Sequence, residues 1–415
     1  MPEREYSLTA REKAVLRALA RRVADIAADS YQTERRSMWY RHNRLQRVKP
    51  MVLVFPEGAW RELLPEQALV VTDPFWRKIE WYLRHLVYRW HHLRDDNVIE
   101  AVVRVPLQHS WTGWGFEVRH RVSNDALGSW GFEPSLKEPG EAALMRFPRV
   151  LVDEAATRRH LAVVQEVLGD ILRVERDGNV LGAGRLSLTR ELAQLRGLET
   201  LMLDMCDRPE WVHQVMDFMC RGVEAVRDWA EEQGYLFLNN GNHYVGSGGV
   251  GYTDELPAPG FAGRVRLQDL WGFAESQELA LVSPAMLAEF VLPYQARLLA
   301  PYGLVCYGCC EPMTHKFTVI KQHLPRLRRV SISPWTDLRV AAEALQDGYI
   351  FSWKPNPALM IGDYDPAAIR RGIREALAIT KDCVVEIVLK DTHTVEHHPE
   401  RLSEWVRIAQ EMTAG

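Results

Sequence analysis

No apolar run in this chain approaches the ~20 residues that a membrane span requires, so a membrane-embedded function is not expected. The opening Met1-Pro2-Glu3-Arg4-Glu5 lacks the apolar core of a secretory signal. Cysteine is scarce, six in 415 residues and unevenly spaced, which argues against a disulfide framework and for reduced thiols. On both counts the chain is expected to be cytoplasmic. Neither charge sign dominates: 51 Lys and Arg face 55 Asp and Glu, a net −4, and nucleic acid is not an expected partner without a basic field. Repeats and low-complexity segments do not stand out. What is present is an apolar content of 47% and a charged content of 26%, ordinary for a soluble enzyme. The length suits one large α/β barrel with additions.

Thr9-Ala-Arg-Glu12 reads as a capping box, and Val15, Leu16, Leu19, Val23 and Ile26 follow at helical spacing. A helix over roughly residues 8–30 is therefore expected, within an N-terminal helical extension of residues 1–50. Met51–Phe55 is the first buried strand. An aromatic-rich insertion at about 60–150 should hold a helix near Trp76–Trp90, a strand near Ala101–Leu107 and a Trp/Gly-rich loop at Trp111–Phe116. Beyond residue 179 apolar runs recur at Val180–Leu186, Tyr235–Leu238, Val265–Leu270, Leu304–Tyr307, Val330–Ile332, Tyr349–Phe351 and Val384–Leu389. Helix starts such as Ser283-Pro284 and Asp365-Pro366 separate them. This alternation predicts parallel strands with right-handed crossovers, and a (β/α)8 TIM-type barrel over residues 51–415.

Such barrels build their sites at the C-terminal strand ends. Half of the cysteines fall in Gly303-Leu-Val-Cys306-Tyr307-Gly308-Cys309-Cys310-Glu311-Pro312, where a buried strand should stop. Thiolates there suit zinc, which prefers tetrahedral Cys and His ligation and keeps one position open in catalytic sites. Cys309, Cys310 and His393 would supply three ligands, with Glu311 or Asp391 as an oxygen donor. Adjacent strand residues point to opposite faces, so both Cys309 and Cys310 can ligate only if the backbone has left the strand at Gly308. Otherwise Cys306 with Cys310, or Cys309 alone, must serve. Lys354 follows another buried strand, and Asp269 and Asp391 are placed to act as bases or orienting groups. The loop Asn239–Tyr252 contains Gly246-x-Gly248-x-x-Gly251, but no helix can open at Leu256-Pro257-Ala258-Pro259, so a dinucleotide site is rejected. A mobile flap over the barrel mouth is expected instead. His243, Tyr252, Trp271, Tyr307 and Asn356 form the candidate substrate-contact set.

Asp269-Leu-Trp271-Gly272, then Val282-Ser283-Pro284 with Phe290 and Pro293-Tyr294, then a strand ending in cysteines, resembles the uroporphyrinogen decarboxylase-like superfamily over roughly residues 180–410. That group includes zinc-dependent corrinoid methyltransferases and is similar to cobalamin-independent methionine synthase. The resemblance implies a (β/α)8 barrel. Methyltransferase members carry His-x-Cys at the fifth strand end and a further Cys near the eighth. Here Tyr307-Gly308-Cys309 and His393 stand near those places, with residue types exchanged. Asp269 matches a family aspartate. The arginine-rich loop of the decarboxylases is replaced by Phe55-Pro-Glu-Gly-Ala-Trp60. Asp391-Thr-His393 lacks the glycine of a corrinoid-binding signature, so a corrinoid would arrive on a separate protein. The resemblance thus implies zinc-dependent methyl transfer between a small substrate and a partner's corrinoid, or to a thiol. A metal-free carboxy-lyase and a non-catalytic ligand-binding barrel are the alternatives, and a homodimer is the assembly considered.

Overall fold

The computed structural model describes residues 6–122, 130–182 and 184–414. Residues 123–129, inside the aromatic-rich insertion, lie outside them, as do 1–5, 183 and 415. Twelve strands are present among the described residues: β1 Met51–Val54, β2 Val102–Pro106, β3 His109–Trp111, β4 Arg119–Val122, β5 Trp130–Glu133, β6 Val150–Val152, β7 Arg173–Asp177, β8 Trp271–Ala274, β9 Leu304–Tyr307, β10 Leu327–Ile332, β11 Ile350–Trp353 and β12 Val384–Leu389. Six pair in parallel in the order β1-β12-β11-β10-β9-β8. These strands are near-continuous apolar runs, and all six residues of β12 are buried, because helices cover the outer face.

The expected barrel appears only in part as backbone pairing. The mixed α/β fold and its six-stranded parallel sheet are compatible with a TIM-like barrel. β2 and β7 pair separately and in parallel, while β3/β6 and β4/β5 are small antiparallel ribbons of the insertion. Side chains finish the two sheet edges. At β1, the Asp96 and Asp95 carboxylates accept from the amides of Val52 and Val54, and Arg89 donates to the Val54 carbonyl at 2.8 Å. At β8, the Asn239 amide accepts from the Trp271 N–H at 2.9 Å and donates to its carbonyl at 3.0 Å.

Two expected strands move. Val180–Leu186 is not a strand, because Gly178, Gly182 and Gly184 take positive φ of 100°, 60° and 89° and break the extended chain. The strand lies earlier, as β7. Val265–Leu270 contains a tight turn at Leu267–Asp269, and the strand starts later, as β8. Tyr235–Leu238 carries no strand assignment. The capping boxes and proline starts are present: Thr9 and Glu12 cap α1 (Ala10–Ala27), and Ser283 accepts from the Met286 N–H at 3.2 Å. The expected Trp76–Trp90 helix spans Pro74–Tyr88. α1 packs its apolar face on that helix and on Glu154–Leu168, so the N-terminal extension shares a core with the insertion.

The expected mobile flap is a buried plug. Arg329 of β10 and Glu386 of β12 are both fully buried and 3.1 Å apart. Glu386 also accepts from the Gly249 N–H at 2.7 Å and meets His42 of α2 (Ser30–Asn43) at 3.1 Å. Arg329 donates to the Asn43 side chain and to the Val250 carbonyl at 2.7 and 3.1 Å. Glycine is required here by close approach: a Cβ at Gly249 would sit 2.6 Å from a Glu386 oxygen, and one at Gly251 2.1 Å from the Asn239 carbonyl oxygen. Backbone cannot yield as a side chain can, so Gly251→Ala should lower the melting temperature, whereas Gly372→Ala should raise it. Gly372 faces open space in the helix Pro366–Ile379, where alanine gains about 0.5–1 kcal/mol. Paired thermal unfolding scans check the two signs.

Candidate active site

β9 ends at Tyr307, and Gly308 at φ 92° turns the chain out of the strand while its N–H bonds to the Ala274 carbonyl. The condition for two adjacent cysteines to share one site is thereby met. Cys309 Sγ and Cys310 Sγ stand 3.5 Å apart, both part-exposed, and Cys310 Sγ lies 3.7 Å from Asp391 Oδ2. Cys306 stays in the strand, fully buried, with burial pushing its thiol up to about 11.

Two lysines flank the thiols. Lys354, after β11, donates to Ser247 Oγ at 2.5 Å and to the Cys309 carbonyl at 2.7 Å. Lys390, directly after β12, donates to the same Ser247 hydroxyl at 3.2 Å and lies 3.6 and 3.7 Å from Asp391 and Glu57. Ser247 comes from the buried plug, so the plug's seat fixes both ammonium groups. Burial lowers Lys354 from its ordinary range, with the Cys309 sulfur opposing. Cys309 is held down at about 6, first by the hydrogen bond from Cys310, then by Lys354, Ser247 and Lys390 against the effect of burial. Cys310 is raised by the same hydrogen bond, in which either sulfur can donate, so the two thiols lose their protons as a pair.

Buried carboxylates lie behind the thiol loop. Glu311 accepts from the Cys309 and Ser276 N–H groups at 2.8 and 2.9 Å, which makes it the clamp of this turn. Glu275, following β8, is pushed up to about 9 by burial and by Glu278 and Glu311. It remains protonated at neutral pH.

Other expected site residues are elsewhere. Asp269 precedes β8 instead of ending it; it is fully buried and accepts from Arg266 and from the Ala258 N–H, so it caps a turn at the opposite end of the strand. Trp271 is core, its indole N–H bonded to the Gly251 carbonyl and its ring 5.1 Å from the Arg329 guanidinium. Tyr307 is fully buried, bonded to Ser276. Tyr252 bonds Glu100 at 2.7 Å, and Asn356 caps the turn at Pro357–Met360. His243 lies 3.7 Å from Asp177, beside a separate cavity. The exposed His393 packs on Gly58, where a Cβ would be 3.0 Å from its Nδ1, and no hydrogen bond joins it to either thiol among the described residues. Nor do any three His, Cys, Asp or Glu among those residues form a metal-holding group. Cys309, Cys310 and Asp391 form a line of contacts with Cys310 in the middle.

Glu57, Ser247, Glu275 and Lys390 were not singled out from the sequence. Lys390 directly follows β12 and belongs to the strand-end residues, though no role was given to it, whereas Glu57 lies beyond β1 in the short turn Glu57–Ala59. Glu275 was hidden by the misplaced end of β8. Ser247 carries no sequence signal beyond its flanking glycines.

No protein-family model matches the chain, and no curated protein matches it. Among solved structures it is similar to a methyltransferase from Methanosarcina mazei, with a TM-score of 0.51 at 10% identity over 91% of this chain and 98% of that one. At that identity the likeness speaks for the fold along nearly the whole length of both chains. No helix among the described residues is long and apolar enough to cross a membrane.

In metal-stripped protein, alkylation of Cys309 by iodoacetamide should reach half its limiting rate near pH 6, and Lys354→Met should move that midpoint upward by removing a cation. A midpoint that Lys354→Met leaves unmoved would show that this lysine does not act on the thiol.

Proposed function

We propose that this chain is a methyltransferase whose reaction centre is the Cys309–Cys310 pair. The methyl group would move between a small substrate and a corrinoid carried by a separate protein, or to a thiol acceptor. The observation that carries the reading is the thiol pair itself, seated with two lysines at the C-terminal ends of parallel strands. The chain-long likeness to a methyltransferase supports it. In this reading the six-stranded sheet and the β2/β7 pair make the eight strands of a (β/α)8 barrel, and the thiols occupy its mouth.

Zinc is the resident ion in this proposal. Cys310 touches both Cys309 and Asp391, donor chemistry that suits it; the three groups lie in a line among the described residues, so the ion would draw them together, and three protein ligands leave one position open. Cys309, Cys310 and Asp391 would hold it. Glu311 is engaged with backbone amides and His393 lies beside Gly58 with no hydrogen bond to either thiol among the described residues, so in this proposal the third place falls to Asp391. When bound, zinc supplies Lewis acidity and keeps a thiol ionised near neutral pH.

The protein's own groups do the rest. Lys354 fixes the Cys309 carbonyl and, with Lys390, opposes the negative charge gathered on the thiols. Glu311 clamps the loop by accepting from the Cys309 and Ser276 N–H groups. The carboxy-lyase alternative relied on Asp269 and Lys354 together, and Asp269 is engaged at the other end of β8, away from Lys354.

Protein purified without added metal should contain stoichiometric zinc, lost in Cys310→Ser and retained in His393→Ala. Wild-type protein should demethylate methylcobalamin in the presence of a thiol, followed by its visible spectrum. Lys354→Met should slow this by about 10- to 100-fold, the range for groups that orient metal ligands. Protein that holds no zinc and leaves methylcobalamin intact would end this reading, and release of CO₂ from a carboxylated substrate would favour the lyase.

A further inference from the structure

Cys309 and Cys310 are adjacent in sequence, and their sulfurs already stand 3.5 Å apart. Both are part-exposed at the strand end, within reach of a small oxidant. The remaining cysteines form no such pair among the described residues. Cys220 and Cys306 are fully buried, and Cys383 is buried with its sulfur at the Ala342 carbonyl. Cys206 is exposed, on the helix Leu198–Asp207, with no thiol beside it. An oxidised cysteine with a second thiol next to it is resolved to a disulfide, whereas an isolated one proceeds to irreversible acids.

The backbone sets what closing the pair costs. Neighbouring Cα atoms lie about 3.8 Å apart across a trans peptide, below the roughly 4.4–6.8 Å that disulfides ordinarily span. Ring closure therefore twists the Cys309–Cys310 peptide. That peptide is pinned, because its carbonyl accepts from Lys354 Nζ at 2.7 Å and from Ser331 Oγ at 3.2 Å. The Cys309 N–H is held as well, by Glu311 at 2.8 Å. A disulfide formed here carries strain, and strained disulfides are the labile ones that thiols reduce.

We propose that Cys309 and Cys310 form a reversible redox switch, closed to a vicinal disulfide by a peroxide and reopened by a thiol. One cysteine first reduces hydrogen peroxide, taking one oxygen to become a sulfenic acid and releasing water. The neighbouring sulfur then attacks that sulfenic sulfur. The S–S bond forms as the S–O bond breaks, and the hydroxyl leaves as water with the second thiol's proton. Two thiols thus lose two electrons and two protons, and the peroxide becomes two waters. The closed pair has no thiolate to offer a metal ion, so oxidation empties the site and stops methyl transfer. That consequence rests on the reading above; the disulfide itself does not.

Peptide mass spectrometry tests it on the full chain, both as purified and after chelation. Each form is treated with hydrogen peroxide, and the remaining thiols are capped with N-ethylmaleimide. In both, the peptide holding Cys309 and Cys310 should lack two hydrogens and carry no cap, whereas Cys206 should be capped. Reduced glutathione should then restore both thiols. Cys206→Ser should close and reopen as wild type does. In protein as purified, a chelating dye should register zinc leaving in step with the disulfide. Closure and reopening in protein that holds no zinc would count against the zinc site and leave the switch standing. Thiols that stay open to the cap, sulfinic or sulfonic acid in place of a crosslink, or a disulfide that glutathione cannot reopen would overturn the inference.

Discussion

The fully buried pair Arg329–Glu386 is the constraint on which the rest of the molecule depends. Two charges taken out of water gain little net stability from each other, but removing either partner strands the other and costs about 3–5 kcal/mol. What the pair provides is registration. It joins β10 to β12 across the interior, and its remaining hydrogen-bonding groups hold His42, Asn43, Gly249 and Val250. The N-terminal helices and the glycine-rich segment are thereby fastened to the sheet at one point. Glu386 is held at about 2, by Arg329 foremost and then His42, against the effect of burial. Its stabilisation is therefore complete above its ordinary value of 4.5 and is lost as pH falls toward 2. His42 is kept neutral by burial, so its share fades on acidification through its ordinary 6.5. Acid should loosen the plug in two stages.

From that anchor the site follows in sequence order and in space. Seating Gly248 and Gly249 beside the ion pair places Ser247 between Lys354 and Lys390, and Lys354 then holds the Cys309 carbonyl. Gly308 turns the backbone, Glu311 clamps it, and the two thiols meet. On the other side of the same segment, Tyr244 to Gly246 wall the cavity beside Asp177. One short stretch of chain links a buried structural charge pair, a reactive thiol pair and a polar cavity. Cys309 is lowered first by Cys310 and then by Lys354, Ser247 and Lys390, the groups that the plug brings together.

Much of this could be read from residues alone. Buried strands announce themselves as short Val/Ile/Leu runs, and β1, β9, β10, β11 and β12 were found that way. The cysteine cluster stood out because thiols at a strand end are unusual. The errors share a cause. Strand boundaries near β7 and β8 depend on glycine φ values and on side-chain turns that apolar periodicity does not encode, so Asp269 was assigned to the wrong end and Glu275 passed over. The plug was read as a flap because glycine richness signals freedom and close packing alike. Only the partners Arg329 and Glu386, 80 and more residues downstream, decide between them. His393 was joined to the thiols by proximity of strand ends; it lies beside Gly58, with no hydrogen bond to either thiol among the described residues.

The central claim is that Cys309 and Cys310 together hold the ion at which methyl transfer occurs. X-ray absorption at the zinc edge of protein purified without added metal tests it most directly. Two sulfur scatterers at about 2.3 Å, with the remaining shell made of oxygen or nitrogen, are the predicted result. A shell of oxygen and nitrogen alone, or zinc sulfur scattering that persists when both cysteines are replaced by serine, would contradict it.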